Sequence, residues 1–188
     1  KGLDKVMNHF HISMQSGSDT ILKRMNRHYD TARYLEILDY MREKMPHVAV
    51  TSDIIVGFPE ESEEDFEDTL NALRRARFDM IYSFIYSPRK GTPAAEMKQI
   101  SKDVQGERFD RLLSVQNEIA LAANKPLVGE TVRVLCDGRS KNKEAAITGR
   151  TDGGKIVFFD GDDTLEGKFL NVRIERAETF ALYGKIEK

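Results

Sequence analysis

Val48-Ala-Val-Thr-Ser-Asp-Ile-Ile-Val56 runs directly into Gly57-Phe58-Pro59, and three residues later Ser62-Glu-Glu-Asp65 begins a new pattern. The first segment is rich in β-branched residues and predicts a buried strand that ends in a tight turn. Ser62 and Asp65 have the spacing of a capping box, and Phe66, Leu70 and Leu73 follow as the apolar stripe of a helix. Strand, turn and helix in that order form one βα unit. The stretch Glu60 to Asp68 carries seven carboxylates in nine residues. Helical spacing scatters them over several faces, so the expectation is a solvated first turn whose charges suit the helix dipole, not a metal site.

The same grammar extends in both directions. Downstream, Met80 to Ser87 predicts a third strand, closed by the loop Pro88-Arg-Lys-Gly-Thr-Pro93. A long helix starts at Ser101 or Asp103 and runs through Ala123, with Phe109, Leu112, Leu113, Gln116, Ile119 and Ala120 on or beside one stripe. Upstream, His9 to Gln15 alternates polar residues with Phe10, Ile12 and Met14, the period of a strand with two different faces. A turn at Ser16-Gly17-Ser18 leads to a short helix capped by Ser18 or Asp19. A second helix is capped by Asp30 or Thr31 and closed by Pro46. Three strands separated by helices predict parallel pairing with right-handed crossovers, an α/β architecture.

At Lys125-Pro126 the pattern changes. Five short β-rich segments follow, near 131 to 136, 145 to 150, 154 to 159, 169 to 175 and 179 to 186, separated by turn residues. The expectation is two domains, 1–125 and 126–188, the second a small all-β, OB-like barrel of five strands. Such barrels commonly bind oligonucleotides, and a structural cap without a ligand is the alternative.

Composition narrows the function classes. The 188 residues are 40% hydrophobic and 32% charged, with 29 Lys+Arg against 31 Asp+Glu, a formal net charge of -2. That balance argues against a strongly basic binder of the histone type but leaves local patches open. The longest unbroken apolar run, Ile119 to Ala123, is far below the roughly 18 residues of a membrane-spanning helix. With no basic segment followed by an apolar one near Lys1, a cytoplasmic location is expected. The single cysteine, Cys136, excludes an internal disulfide and any multi-cysteine metal site built from these residues, and its place in a predicted barrel strand suits a small core residue.

Ligands of parallel α/β sheets bind at the C-terminal ends of the strands. One face of the first strand carries His9, His11, Ser13 and Gln15, which points to a polar cavity. At the end of the second strand, Gly57 lets a ligand approach the backbone. Asp53 either accepts hydrogen bonds from a ribose or amino group or pairs with a neighbouring arginine. In the barrel, residues 133–155 hold Arg133, Arg139, Lys141, Lys143, Arg150 and Lys155 against Asp137, Glu144 and Asp152, an excess of three positive charges. Such a patch suits RNA phosphates. Phe158 and Phe159 are candidates for base stacking, with at least one of them facing the core. The following Asp160, Asp162, Asp163 and Glu166 make the module polarised, not basic overall.

The segments His9-Phe-His-Ile-Ser-Met-Gln-Ser-Gly-Ser18, Thr51-Ser-Asp-Ile-Ile-Val-Gly-Phe-Pro-Glu60 and Tyr86-Ser-Pro-Arg-Lys-Gly-Thr-Pro-Ala-Ala95 resemble consecutive signatures of the radical S-adenosylmethionine (radical SAM) methylthiotransferases. The terminal segment resembles that family's TRAM domain, an OB-like RNA-binding module. Asp53, Ile55, Gly57 and Glu60 resemble a GxIxGxxE-like pattern, with Asp53 in place of the first glycine. Gln15-Ser-Gly-Ser18, Met25-Asn-Arg27, Ser114-Val-Gln-Asn-Glu118, Lys141-Asn-Lys143 and Gly149-Arg-Thr-Asp-Gly-Gly-Lys155 are most similar to the tRNA-modifying branch.

The resemblance implies the C-terminal half of a radical SAM (β/α) barrel followed by a TRAM barrel. It implies methylthiolation of carbon 2 of an isopentenylated adenosine in the tRNA anticodon stem-loop, with S-adenosylmethionine and two 4Fe-4S clusters. The family's cluster-binding cysteines have no counterpart here, so a fragment inactive by itself is expected. The implied cofactor contacts are His11, Gln15, Ser16 and Ser18 at the cavity mouth, with Asp53, Ile55 and Gly57 along the adenosyl group. Tyr86, Ser87 and Arg89 are implied at adenine, the methionyl carboxylate or the tRNA backbone. No catalytic residue is assigned. No membrane partner is expected; a full-length enzyme would be monomeric, whereas an open sheet edge lets the fragment dimerise. Two further readings stand beside this one: modification of a ribosomal-protein side chain, and an RNA-binding module on a non-catalytic scaffold.

Overall fold

The computed structural model describes residues 6–140 and 147–187. It falls into two compact units. One consists of His11–Pro46 and Val50–Ile119, the other of Ala120–Lys188 with His47–Ala49 and the described residues of Lys1–Phe10.

The α/β part contains β1 (His9–His11), α1 (Asp19–Arg24), α2 (Thr31–Lys44), β2 (Ala49–Val56), α3 (Glu63–Ala76), β3 (Met80–Ile85), α4 (Pro93–Glu96) and α5 (Lys102–Asn124). The strands lie in the order β1-β2-β3, and β2 pairs with β3 in parallel register from Thr51 opposite Met80 to Val56 opposite Ile85. Val50, Ile54 and Val56 are fully buried, as are Ile21, Phe66, Leu73, Phe78 and Leu112, so one face of β2 belongs to the core beneath the helices. The caps follow the sequence. The Ser18 side chain accepts from Ile21 N–H, Asp30 from Arg33 N–H, and Ser62 with Asp65 closes a reciprocal capping box, each worth about 1 kcal/mol.

The first strand is shorter than its alternation predicts. Regular pairing stops at His11, because Gln15 adopts a left-handed backbone (φ 68°) and Met14 N–H turns to the Ser52 hydroxyl. Gln15 nevertheless rejoins β2: its N–H donates to Asp53 C=O and its C=O accepts from Ile55 N–H. The short helix α4 has no counterpart in the sequence reading; Pro93 is its first residue.

In the other unit β4 (Thr131–Arg139), β5 (Ile147–Thr151), β6 (Ile156–Phe159), β7 (Phe169–Ala177) and β8 (Leu182–Ile186) close into a barrel in the order β4-β5-β6-β8-β7. Val134, Cys136, Ile147, Val157, Phe159, Val172, Ile174 and Leu182 fill it, so Cys136 is a core residue. Two 3-10 turns, Lys125–Leu127 and Asp163–Leu165, punctuate a region where no helix is expected. The last turn of α5 belongs with the barrel although the sequence changes character only at Lys125. Asn124 is buried and its amide donates to the carbonyls of Glu178 (2.8 Å) and Thr179 (3.2 Å). No helix among the described residues is long and apolar enough to cross a membrane.

Candidate functional site

The face of the sheet opposite the helices carries a connected polar group. Asp53 and Thr51 alternate along β2 and point the same way as His11. Ser13 Oγ donates to Asp53 Oδ2 at 2.6 Å and His11 Nε2 lies 3.1 Å from the same oxygen. His11 Nδ1 lies 3.0 Å from Thr51 Oγ1, so the tautomer that satisfies the contacts carries its proton on Nε2. Burial would raise the Asp53 carboxyl, but the hydrogen bonds from Ser13 and His11 outweigh it and hold the group below the ordinary range. An ionised acceptor thus sits on a face open to solvent.

Beside it β3 supplies an apolar wall. Tyr82 is in register with Asp53, its ring 5.7 Å from His11 in an edge-on arrangement, and Met80, Tyr82 and Phe84 are all exposed. Behind the group, Tyr29 and Tyr34 donate to the carbonyls of Ser13, Met14 and Ile12 and fix the irregular end of the strand. Burial pushes the Tyr34 hydroxyl up to about 12, so it remains a donor at neutral pH.

The turn after β2 is locked from below. Gly57 (φ 70°) donates its N–H to Glu61 Oε2 at 2.9 Å, and its C=O accepts from Gln105 Nε2 at 3.0 Å. A Cβ on Gly57 would lie 2.5 Å from Gln105 Cγ, so the missing side chain makes room for Gln105. Glu61 in turn meets Arg108 Nη1 at 2.8 Å, and both residues are buried. Burial pushes the Glu61 carboxyl up, against the Gly57 N–H and Arg108.

The expectation of a solvated acidic turn holds at Glu60, Glu63, Glu64 and Asp68, which are exposed, and is corrected at Glu61; several of these carboxylates are also paired. Glu61 is buried, Glu63 bonds Arg108 and Arg111, Glu67 bonds Arg111, and Asp65 holds Ser62 and Ser18. The arginines come from α5, some forty-five residues away in sequence, which is why the local spacing of the carboxylates did not reveal them.

Of the residues expected to form the cofactor site, His11 and Asp53 come together, and Ile55 lies next along the same face of β2. Gln15 does not continue the polar row of His9, His11 and Ser13. Its left-handed backbone turns it inward, and it is 7% exposed. Ser16 and Ser18 are buried as well: Ser16 Oγ lies 3.3 Å from Thr69 Oγ1, and Ser18 Oγ donates to Asp65 at 2.6 Å. Tyr86 packs edge-on against Phe58, with ring centroids 5.0 Å apart, while Ser87 and Arg89 are exposed. The sequence reading missed Thr51, Tyr82, Glu61, Gln105 and Arg108 as parts of this region. Period-2 spacing from Asp53 was the available signal for Thr51; nothing local pointed to the others.

On the barrel, Lys141 and Lys143 lie outside the described residues. The remaining candidates do not form a free basic patch. Arg139 pairs with Asp163 (2.6 Å), Arg150 with Asp137 (2.9 Å), and Lys155 Nζ donates to Asn124 Oδ1 (2.9 Å). Arg133 lies over the Phe169 ring, 3.9 Å from its centroid. Phe159 faces the core, whereas Phe158 faces outward and stacks on Tyr183.

Comparison with known proteins adds the family. Residues 1–73 match the Radical SAM superfamily and residues 125–186 the TRAM domain. The chain is 48% identical over 184 residues to the tRNA-2-methylthio-N(6)-dimethylallyladenosine synthases of Alkaliphilus oremlandii and Acetivibrio thermocellus, covering 97% of this chain and 39% and 38% of theirs. The synthase of the same name from Thermoanaerobacter sp. is 46% identical over 187 residues, 99% of this chain and 40% of its own. The chain thus spans about two fifths of the length of the curated relatives it matches. A solved structure, "Coproporphyrinogen III oxidase (HemN) from Escherichia coli is a Radical SAM enzyme", shares the fold with TM-score 0.52 at 13% identity, over 94% of this chain and 45% of that one. Over the stretch that it spans, the chain belongs to the radical SAM methylthiotransferase family, with a radical SAM region followed by a TRAM domain.

Proposed function

We propose that the chain is part of an enzyme that methylthiolates carbon 2 of isopentenyladenosine beside the tRNA anticodon. The observation that carries this reading is the 48% identity over 97% of the chain to synthases named for that nucleoside. The polar face of the sheet supports it. Asp53, held ionised by Ser13 and His11, is an acceptor suited to ribose hydroxyls, and the exposed rings of Tyr82 and Phe84 offer an apolar edge to a purine. That donor and acceptor set fits S-adenosylmethionine. When bound, it supplies the methyl group and the radical initiator of the reaction.

In this reading His11 and Asp53 orient the adenosyl group, with Ile55 flanking it, while Gln15 acts through its backbone pairing with Asp53 and Ile55. Tyr86, Ser87 and Arg89, at and beyond the end of β3, meet adenine, the methionyl carboxylate or the tRNA backbone. Ser16, Ser18 and Gly57 act from behind, by holding the strand ends to α3 and α5. An iron-sulfur cluster does not fit these residues: no group of three His, Cys, Asp or Glu suited to a metal occurs among the described residues, and Cys136 is sealed in the barrel core. The two 4Fe-4S clusters of the proposed enzyme would be held by residues other than these. The barrel grips the tRNA anticodon stem-loop, and the enzyme works in the cytoplasm as a monomer.

The test is mass spectrometry of tRNA nucleosides from cells lacking the gene, complemented with the parent or with Asp53→Ala. Loss of the methylthio nucleoside, restored by the parent and not by the variant, is expected. An unchanged methylthio nucleoside in the deletion strain overturns the tRNA reading; loss of a methylthio group from a ribosomal protein instead would put a protein side chain in its place.

A further inference from the structure

Solvent-facing positions of a barrel are ordinarily polar, yet three of the four in one row of this barrel are apolar. Outward residues on four successive strands stand in register: Phe169 on β7 opposite Leu135 on β4, Leu135 opposite Arg150 on β5, and Arg150 opposite Ile156 on β6. Phe169, Leu135 and Ile156 are 55%, 37% and 43% exposed. Their neighbours Val134 and Val157 fill the core, so these three contribute little to it. Arg133 lies two residues from Leu135 on the same face, over the Phe169 ring.

The charges single out Arg133. The barrel strands carry five arginines, and four are ion-paired: Arg139 with Asp163, Arg150 with Asp137, Arg173 with Glu187 and Arg176 with Glu178. Among the described residues no carboxylate pairs with Arg133. A guanidinium stacked on an exposed ring has all five of its N–H donors available to an anion. An apolar row with an available cation at its edge matches a chain that alternates flat apolar rings with phosphates. Single-stranded RNA has that alternation on its accessible surface, whereas a duplex hides its base faces.

We propose that the Phe169–Leu135–Ile156 row is a stacking platform for unpaired nucleotides of an RNA, with Arg133 on a phosphate between them. This rests on the RNA-binding reading of the barrel and deepens it, because it selects the unpaired part of the RNA, singles out Arg133 among the candidate cations of residues 133–155, and adds the apolar side chains of Phe169, Leu135 and Ile156 beside it.

The chain itself is titrated against a labelled single-stranded oligoribonucleotide of about a dozen residues, and against its blunt duplex, by fluorescence anisotropy. The single strand binds more tightly than the duplex. Phe169→Ala weakens it about tenfold and Phe169→Tyr restores it, as stacking on one ring requires. Arg133→Gln weakens binding and lowers the salt slope by about one. Phe180→Ala, an exposed ring outside the row, leaves binding unchanged. Phe169 and Arg133 are both exposed, so unchanged thermal unfolding verifies that the variants fold. Binding by Phe169→Ala and Arg133→Gln equal to the parent overturns the platform while the RNA reading stands. Failure of the parent to bind any RNA, tRNA included, overturns both. If Phe169→Ala instead converts a dimer to a monomer and leaves RNA binding alone, the row is a self-association surface.

Discussion

Ser13 Oγ and Asp53 Oδ2 are 2.6 Å apart although forty residues separate them in the chain, and the bond makes Asp53 a stronger acid than its partial burial would allow. The sign follows from linkage: a carboxyl depressed in the folded state adds stability above its ordinary value of 3.8, and that stability is lost as pH falls through the lower folded value. Ser13→Ala removes the first of the hydrogen bonds that lower it. The Asp53 carboxyl of that variant should titrate closer to 3.8 when followed by carbon-13 NMR, and unfolding below pH 3.8 should depend less on pH. Identical Asp53 titration in parent and variant would show that the hydroxyl does not hold the charge.

Arg108 and Glu61 form a buried pair under the β2 turn, with side chains 6% and 1% exposed. Truncating one partner strands the other charge, so Arg108→Met should destabilise the chain by about 3–5 kcal/mol at neutral pH. The loss should shrink in acid. Glu61 is already raised above its ordinary 4.5, so stability falls as pH rises from 4.5 through the folded value. Without the guanidinium the folded value climbs and that fall extends further. Urea unfolding at pH 5 and pH 7 measures it, and an equal loss at both would mean that Glu61 is not the group left unpaired.

The fold was legible wherever local chemistry decided it. Ser62 and Asp65 cap α3 as their spacing requires, β2 occupies the β-branched run, and the five β-rich segments after Lys125 became the barrel. The site was legible only in part. His11 and Asp53 converge, because each sits on a strand whose period fixes its face. Gln15 defeated the same rule through one left-handed residue, which no alternation pattern encodes. Arg108 and Gln105 stabilise the turn from a helix far along the chain, and the acidic run gave no sign of which carboxylate they would bury. On the barrel, the count of cations could not show that Arg139 and Arg150 are paired by Asp163 and Asp137, carboxylates from a neighbouring turn and strand, whereas Arg133 lies over a ring.

Gly17 shows how tightly the first turn is pressed onto α3. Its N–H donates to Thr69 Oγ1 at 3.0 Å, and a Cβ there would lie 2.5 Å from Thr69 Cα and 2.8 Å from Asp68 C=O, atoms of the helix backbone. Gly17→Ala must therefore push α3 away from the turn that holds the end of β1, an overpacking cost of about 1–3 kcal/mol. Gly106 lies inside α5 with nothing within 4 Å of the position its Cβ would take. Gly106→Ala should stabilise by about 0.5–1 kcal/mol, because it only restricts the unfolded chain. Chemical denaturation of the two variants should move in opposite directions. Gly17→Ala should also return the Asp53 carboxyl toward its ordinary value, since the strand end carrying Ser13 is anchored through this turn; a destabilised variant with Asp53 unmoved would separate the packing of α3 from the geometry of the polar face.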